Sequence, residues 1–105
     1  MSGGEPESRP VVAVVMPCFR TSDRVLGVLS AIGPEVGRVY CVDDACPEET
    51  GRLIERSCSD PRVTVLYHES NRGVGGAVVT GYARALQEGA DIVVKLDSDG
   101  QMDPA

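Results

Sequence analysis

The chain has 105 residues, with 16 acidic against 10 basic side chains and a formal net charge of −6, the size of one domain or part of one. Its 42% hydrophobic and 25% charged content is that of a globular protein and excludes a wholly disordered, collagen-like or coiled-coil chain, while the acidic balance argues against a nucleic-acid binder, which presents a basic face. The strongest apolar run extends only from Val11 to Met16, far short of the ~20 residues of a membrane helix, and the opening MSGGEPESRP has no apolar signal core, so a cytoplasmic location is expected.

Residues 1–10 are polar and rich in Gly, Pro and Ser, and read as a flexible leader to a domain over 11–105. Val11 to Met16 is a β-branched run of the kind buried on both faces in parallel sheets, and Pro17 is expected to end it. Ser22 or Asp23 is expected to cap a helix reaching about Ile32, with Val25, Leu26, Val28, Leu29 and Ile32 on its apolar side and Gly33-Pro34 as its stop. Arg38 to Val42 predicts a second strand that ends at Asp43-Asp44. Pro47 suits the first turn of a second helix, with Glu48 and Glu49 at its positive end and Leu53, Ile54 and Cys58 facing inward.

Val63 to Tyr67 predicts a third strand. A glycine-rich turn starting at Asn71 leads into a helix running to about Glu88, its inner face Val74, Ala77, Val78, Gly81, Tyr82 and Ala85, with Gly89 closing it. Ile92 to Leu96 predicts a fourth strand that runs into Asp97-Ser98-Asp99-Gly100. This alternation predicts an α/β fold, a three-layer α/β/α sandwich around a mostly parallel sheet. Right-handed crossovers then place the carboxyl ends of the strands along one edge, where open α/β sheets bind ligands.

The chemistry of the chain sits at those ends. Pro17-Cys18-Phe19-Arg20 follows the first strand, Asp43-Asp44 the second, His68 to Gly73 the third and Asp97 to Gln101 the fourth. Gathering carboxylates at one edge destabilises a fold unless a cation or positive dipoles compensate. Asp97 and Asp99 can turn toward one hard cation if the chain bends at Gly100, and Gln101 adds an amide oxygen; the alternative is solvated turn aspartates. An EF-hand is excluded, because Gln101 and Met102 stand where that loop needs Asp or Asn and then Gly. Asp43 and Asp44 can accept hydrogen bonds from a ribose or a base, or cap a helix or turn.

Gly73-Val74-Gly75-Gly76 fits neither a dinucleotide fingerprint nor a P-loop, and reads as an easy helix start open to close approach by a ligand. Phe19 either stacks on a flat ring or packs. The lone His68 reads as a surface or capping residue and is left out of the site. Cys18 and Cys41 read as small buried apolar residues, and the absence of a C-x-x-C pair argues against zinc. A dinucleotide-binding oxidoreductase needs glycines after the first strand. A phospho-receiver needs its acidic pair there and a Lys after the last strand.

Taken together, Val14 to Phe19, Val42-Asp43-Asp44-Ala45-Cys46-Pro47-Glu48-Glu49-Thr50, Asn71 to Ala77 with Gly81, and Lys95 to Pro104 resemble the family-2 glycosyltransferases, inverting enzymes of the Rossmann-like GT-A fold that include polyprenyl-phosphate sugar transferases. The resemblance implies a nucleotide-binding set of Pro17, Phe19, Asp43, Asp44, Asn71, Arg72, Gly73, Asp97 and Ser98, with Phe19 against the base and the acidic pair reading base and ribose. It implies Asp97, Asp99 and Gln101 as ligands of Mg2+ or Mn2+. Arg20 stands where the family often has Asn, and Ala45-Cys46 where it often has Gly-Ser.

By the same resemblance the donor is a UDP or GDP sugar and the acceptor a lipid phosphate or glycan. The chain is then the donor-binding half of a longer domain, with its catalytic base, and any membrane contact at the cytoplasmic face, expected beyond Ala105. The 105 residues alone are expected to be inactive. The alternative is a non-catalytic nucleotide or metal-binding module of the same fold.

Overall fold

The computed structural model describes residues 10–20 and 22–97. Along them run β1 (Val12–Cys18), α1 (Val25–Ser30), β2 (Arg38–Asp43), α2 (Thr50–Ser57), β3 (Val63–Tyr67), α3 (Gly73–Gln87) and β4 (Ile92–Lys95). The strands form one sheet in the order β3-β2-β1-β4, each pairing parallel. Helices cover both faces. On one, Val14, Met16, Cys18, Val39 and Cys41 pack against Val25 and Leu29 of α1 and Ile54 of α2. On the other, Ala13, Val15 and Tyr40 pack against α3 through Ala85. This is the expected three-layer arrangement, and the chain reverses direction across the sheet between β1 and β4.

Pro17 lies inside β1, opposite Val42 of β2, and does not end the strand. The Leu96 N–H donates to the Val15 carbonyl, so the next rung toward β4 would need an N–H at position 17, which proline lacks. Pairing with β4 accordingly stops at Val15 and Lys95, while pairing with β2 continues to Cys18 and Asp43. Proline is tolerated in a central strand here because one of its two neighbours has ended.

Two helix starts differ from expectation. α1 begins at Val25 with no side-chain cap, so neither Ser22 nor Asp23 serves as one; the Ser22 hydroxyl and N–H instead donate to Glu48 Oε1. α2 begins at Thr50, and Pro47 to Glu49 form the turn before it, Glu49 being left-handed at φ 54°. In α3 the inner seam is the small trio Ala77, Gly81 and Ala85, all buried, whereas Val74 is 56% exposed. The first turn of α3 lies too far toward the carboxyl edge to be covered by the sheet. Behind Gly81 there is no space: a Cβ there would lie 2.3 Å from Val15 Cγ1.

The amino edge is tied by one side chain. Arg62 donates to the carbonyls of Ile32, Gly33 and Val36 and pairs with Asp60 at 2.8 Å. This holds the turn before β2 against the turn before β3. Cys18 and Cys41 are fully buried free thiols. Most of the leader, together with Ser98, Asp99 and Gln101 of the expected site, lies outside the described residues.

Candidate donor site at the carboxyl edge of the sheet

The parallel sheet brings the ends of β1, β2, β3 and β4 to one edge, and hydrogen bonds knit the loops there. The Asp44 N–H donates to the Cys18 carbonyl at 3.3 Å and the His68 N–H to the Asp43 carbonyl at 2.9 Å. Asn71 Nδ2 donates to the Asp44 carbonyl at 3.1 Å. The loops after β1, β2 and β3 are therefore hydrogen-bonded to one another, beside the point where the strand order reverses.

Asp43, expected at the nucleotide, turns back onto its own loop. Its Oδ1 accepts from the Cys46 N–H at 2.8 Å and its Oδ2 from the Gly51 N–H at 2.7 Å. It thus caps the first turn of α2 from outside the helix, the capping role open to aspartate here. Gly51 is required for this approach, since a Cβ would lie 2.9 Å from Asp43 Oδ2 and 2.7 Å from Tyr67 Cε1.

Asp44 is 3% exposed and organises the loop after β3. Oδ1 accepts from the Arg72 N–H at 2.8 Å and Oδ2 from the Gly73 N–H at 2.8 Å. These are donors at the start of α3, so a carboxylate of the chain itself meets the helix's positive end. His68 Nδ1 stands 2.7 Å from Asp44 Oδ1. Burial raises the Asp44 pKa, but the His68 bond and the Arg72 and Gly73 N–H groups outweigh it and hold the carboxyl below its ordinary range. The carboxylate is therefore the acceptor and Nδ1 the donor.

His68, left aside on sequence grounds, is only 8% exposed and central to this network. Its Nε2 meets Thr80 Oγ1 of α3 at 2.7 Å. The signal that could have found it is its position directly after β3, where a parallel register puts it beside the end of β2.

On the β1 side, Phe19 is 38% exposed with the Arg20 guanidinium 5.4 Å from its ring centroid. Arg20 itself is left-handed at φ 59°, and its N–H donates to Cys46 Sγ at 3.1 Å. Burial raises the Cys46 thiol, but bonds from Thr50 and from the Arg20, Thr50 and Glu48 main chain bring it below its ordinary value. Cys46 thus ties the loop after β1 to the start of α2, and the ring of Phe19 remains accessible.

Asp97 follows β4 across the switch point, half-buried, with its Oδ1 3.5 Å from Lys95 Nζ. Of the expected cation ligands it alone is described; Asp99 and Gln101 follow it in sequence. The set consists of carboxylate and amide oxygens, the donor chemistry of a hard divalent cation such as Mg2+ or Mn2+. Pro17, inside β1, and the exposed Asn71 and Arg72 border the same edge. No helix among the described residues is long and apolar enough to cross a membrane.

Residues 13–105 match the family described as Glycosyl transferase family 2. An undecaprenyl-phosphate mannosyltransferase of Micrococcus luteus is 35% identical over 97 residues, 89% of this chain and 40% of that protein. A UDP-N-acetylglucosamine–dolichyl-phosphate N-acetylglucosaminyltransferase of Methanococcus voltae is 26% identical over 108 residues, 90% of this chain and 43% of that protein. The chain thus spans about two fifths of these relatives, 40% and 43%. Among solved structures, the mannosyltransferase PcManGT from Pyrobaculum calidifontis in complex with GDP-Man and Mn2+ is similar at TM-score 0.70 and 25% identity, covering 93% of this chain and 30% of that one. The parallel sheet flanked by helices is the α/β fold of GT-A glycosyltransferases. A family match over residues 13–105, on a sheet whose carboxyl edge collects the loops that the motifs mark, makes this chain a member of glycosyl transferase family 2.

Proposed function

We propose that this chain supplies the donor and cation site of a glycosyltransferase that moves a sugar from a nucleoside diphosphate to a polyprenyl phosphate, with inversion. The observation that carries the reading is Asp44 drawing the Asn71–Gly73 loop onto the carboxyl edge, beside the switch point flanked by Phe19 and Asp97. Phe19 offers a ring face to the base, Arg72 a cation to the diphosphate, and Asp97, Asp99 and Gln101 the oxygens that would hold Mg2+ or Mn2+. When bound, that cation supplies Lewis-acid neutralisation of the leaving diphosphate.

The transfer is a single displacement. An acceptor phosphate oxygen forms a bond to the anomeric carbon as the bond from that carbon to the diphosphate oxygen breaks. The electron pair leaves with the nucleoside diphosphate, and attack opposite the leaving group inverts the centre. A phosphate monoester, with its second pKa near ~6, is ionised at neutral pH and needs no base, whereas a glycan hydroxyl does. The acceptor class is supported by the relatives, whose names include undecaprenyl-phosphate and dolichyl-phosphate; an acceptor of that class is a membrane lipid, and the cytoplasmic face is part of the proposal.

The donor is tested first, by titrating GDP-mannose and UDP-N-acetylglucosamine into the chain with Mn2+. Saturable binding of one of them is expected. No saturable binding of either up to millimolar concentration would overturn the reading. Transfer is then followed as radiolabel passing from the bound donor into an organic extract with polyprenyl phosphate, and binding without transfer by any longer form of the protein favours a non-catalytic module.

A further inference from the structure

We propose that His68 is a positioning residue of the donor site, acting through Asp44 on the Asn71–Gly73 loop; the inference rests on the reading that this loop faces the nucleotide. The ring is held at both nitrogens, by Asp44 Oδ1 at 2.7 Å and Thr80 Oγ1 at 2.7 Å, and its own N–H is bonded to the Asp43 carbonyl at 2.9 Å. One side chain therefore braces the end of β2, the end of β3 and the second turn of α3. Asp44 Oδ1 takes both Nδ1–H and the Arg72 N–H, while Oδ2 takes the Gly73 N–H. Donors on both oxygens fix the plane of the carboxylate, and among the described residues His68 supplies the only one of them that comes from a side chain.

The brace controls the loop more than the core. Neither apolar cluster includes His68, and the strands around it are held by their own ladders. Removing Nδ1 frees the carboxylate to rotate away from the Arg72 and Gly73 N–H groups. The main chain that carries Asn71 and Arg72 then loses its fixed course, and a ligand that needs it must order the loop on binding, at a cost in affinity.

The two ring nitrogens can be separated by substitution. The Asn amide nitrogen reaches about where Nδ1 stands and the Gln amide nitrogen about where Nε2 stands, so His68→Asn keeps the donor to Asp44 while His68→Gln keeps only the reach to Thr80. Thr80→Val removes the Nε2 partner with little change of shape.

The first readout is amide hydrogen exchange by NMR without nucleotide. His68→Gln is expected to speed exchange at Arg72 and Gly73 by roughly tenfold or more, with Val39 and Cys41 in β2 unchanged, and His68→Asn is expected to restore most of the protection. Thr80→Val is expected to lie between wild type and His68→Gln, and it serves if the Gln variant does not fold. The second readout is the Kd for GDP and UDP with Mn2+, expected to rise roughly tenfold in His68→Gln and to recover in His68→Asn. Unchanged exchange at Arg72 and Gly73, or equal loosening of the β2 amides, would overturn the proposal, as would an unchanged Kd. A wild-type chain that binds neither nucleotide defeats the donor reading instead, and the exchange data still decide whether His68 fixes the loop.

Discussion

The N–H of Gly51 meets Asp43 Oδ2 at 2.7 Å, and a methyl group on Gly51 would stand 2.9 Å from that same oxygen. The site loop after β2 is therefore shaped by the absence of a side chain eight residues further on. Gly51→Ala should destabilise the fold by about 1–3 kcal/mol through overpacking, although Ala favours a helix interior over Gly by about 1 kcal/mol. Urea unfolding checks this, and a neutral or stabilising result would mean that Asp43 does not depend on the close approach.

Gly81 and Val15 make the corresponding contact on the other face, where an added Cβ would lie 2.3 Å from Val15 Cγ1. Gly81→Ala is expected to cost about 1–3 kcal/mol. Combined with Val15→Ala, which makes room, the pair should be non-additive by more than about 0.5 kcal/mol in a double-mutant cycle. Strict additivity would show that α3 is free to shift away from β1.

Asp44 links stability to pH. Its folded pKa lies below the ordinary value, chiefly because bonds from His68, Arg72 and Gly73 outweigh its burial. A depressed pKa contributes stability that is fully present above the unfolded pKa of ~3.9 and is lost as pH falls through the folded value. Asp44→Asn should cost about 2–3 kcal/mol at neutral pH, by losing bonds to a charged acceptor and turning an amide toward N–H donors. The gap between wild type and variant should narrow in strong acid, measured as unfolding free energy against pH. A gap that stayed constant would remove Asp44 as its source.

The cation set is separable from the fold. Asp97 is half-buried and pairs with Lys95 at 3.5 Å, so Asp97→Asn should change thermal stability little without ligand and weaken binding of a nucleoside diphosphate with Mn2+. Asp99→Ala should weaken Mn2+ binding in the presence of UDP or GDP by at least about tenfold, since a carboxylate ligand is lost. Equal Mn2+ affinity in Asp99→Ala and wild type would count against the site, and a large loss of stability in Asp97→Asn would make that residue structural.

Phe19, at 38% exposure, is not part of either core cluster. Phe19→Ala should leave the unfolding midpoint nearly unchanged and weaken nucleotide binding by about 1–3 kcal/mol, the worth of stacking a base on an aromatic ring. Loss of stability with unchanged affinity would assign the ring to packing.

Much of the fold was legible in the chain because strand and helix periodicities are local. The run from Val11, the segments at Arg38 and Val63, and the long helix closed by Gly89 are all where the residues predict them, within a residue or two at most ends. The helix starts were less legible. Ser22 and Pro47 carry capping chemistry in isolation, but Ser22 is drawn to Glu48, distant in sequence, and Pro47 lies in a local turn closed by the Glu49 N–H on the Cys46 carbonyl. Pro17 lacks a donor and so predicts a strand end, but it stays inside β1 because pairing with β4 stops beside it.

By itself, the order of residues determined that this is an alternating α/β chain and that its carboxylates, glycine turn and single Phe follow the strands. Those are properties of neighbours along the chain. Only the tertiary structure decided that β1 lies between β2 and β4, and that Asp43 turns to Gly51 while Asp44 turns to Arg72, Gly73 and His68. Adjacent aspartates have the same chemistry in sequence. What distinguishes them is which N–H groups the fold brings within hydrogen-bond reach, and that follows from strand order and register across the sheet.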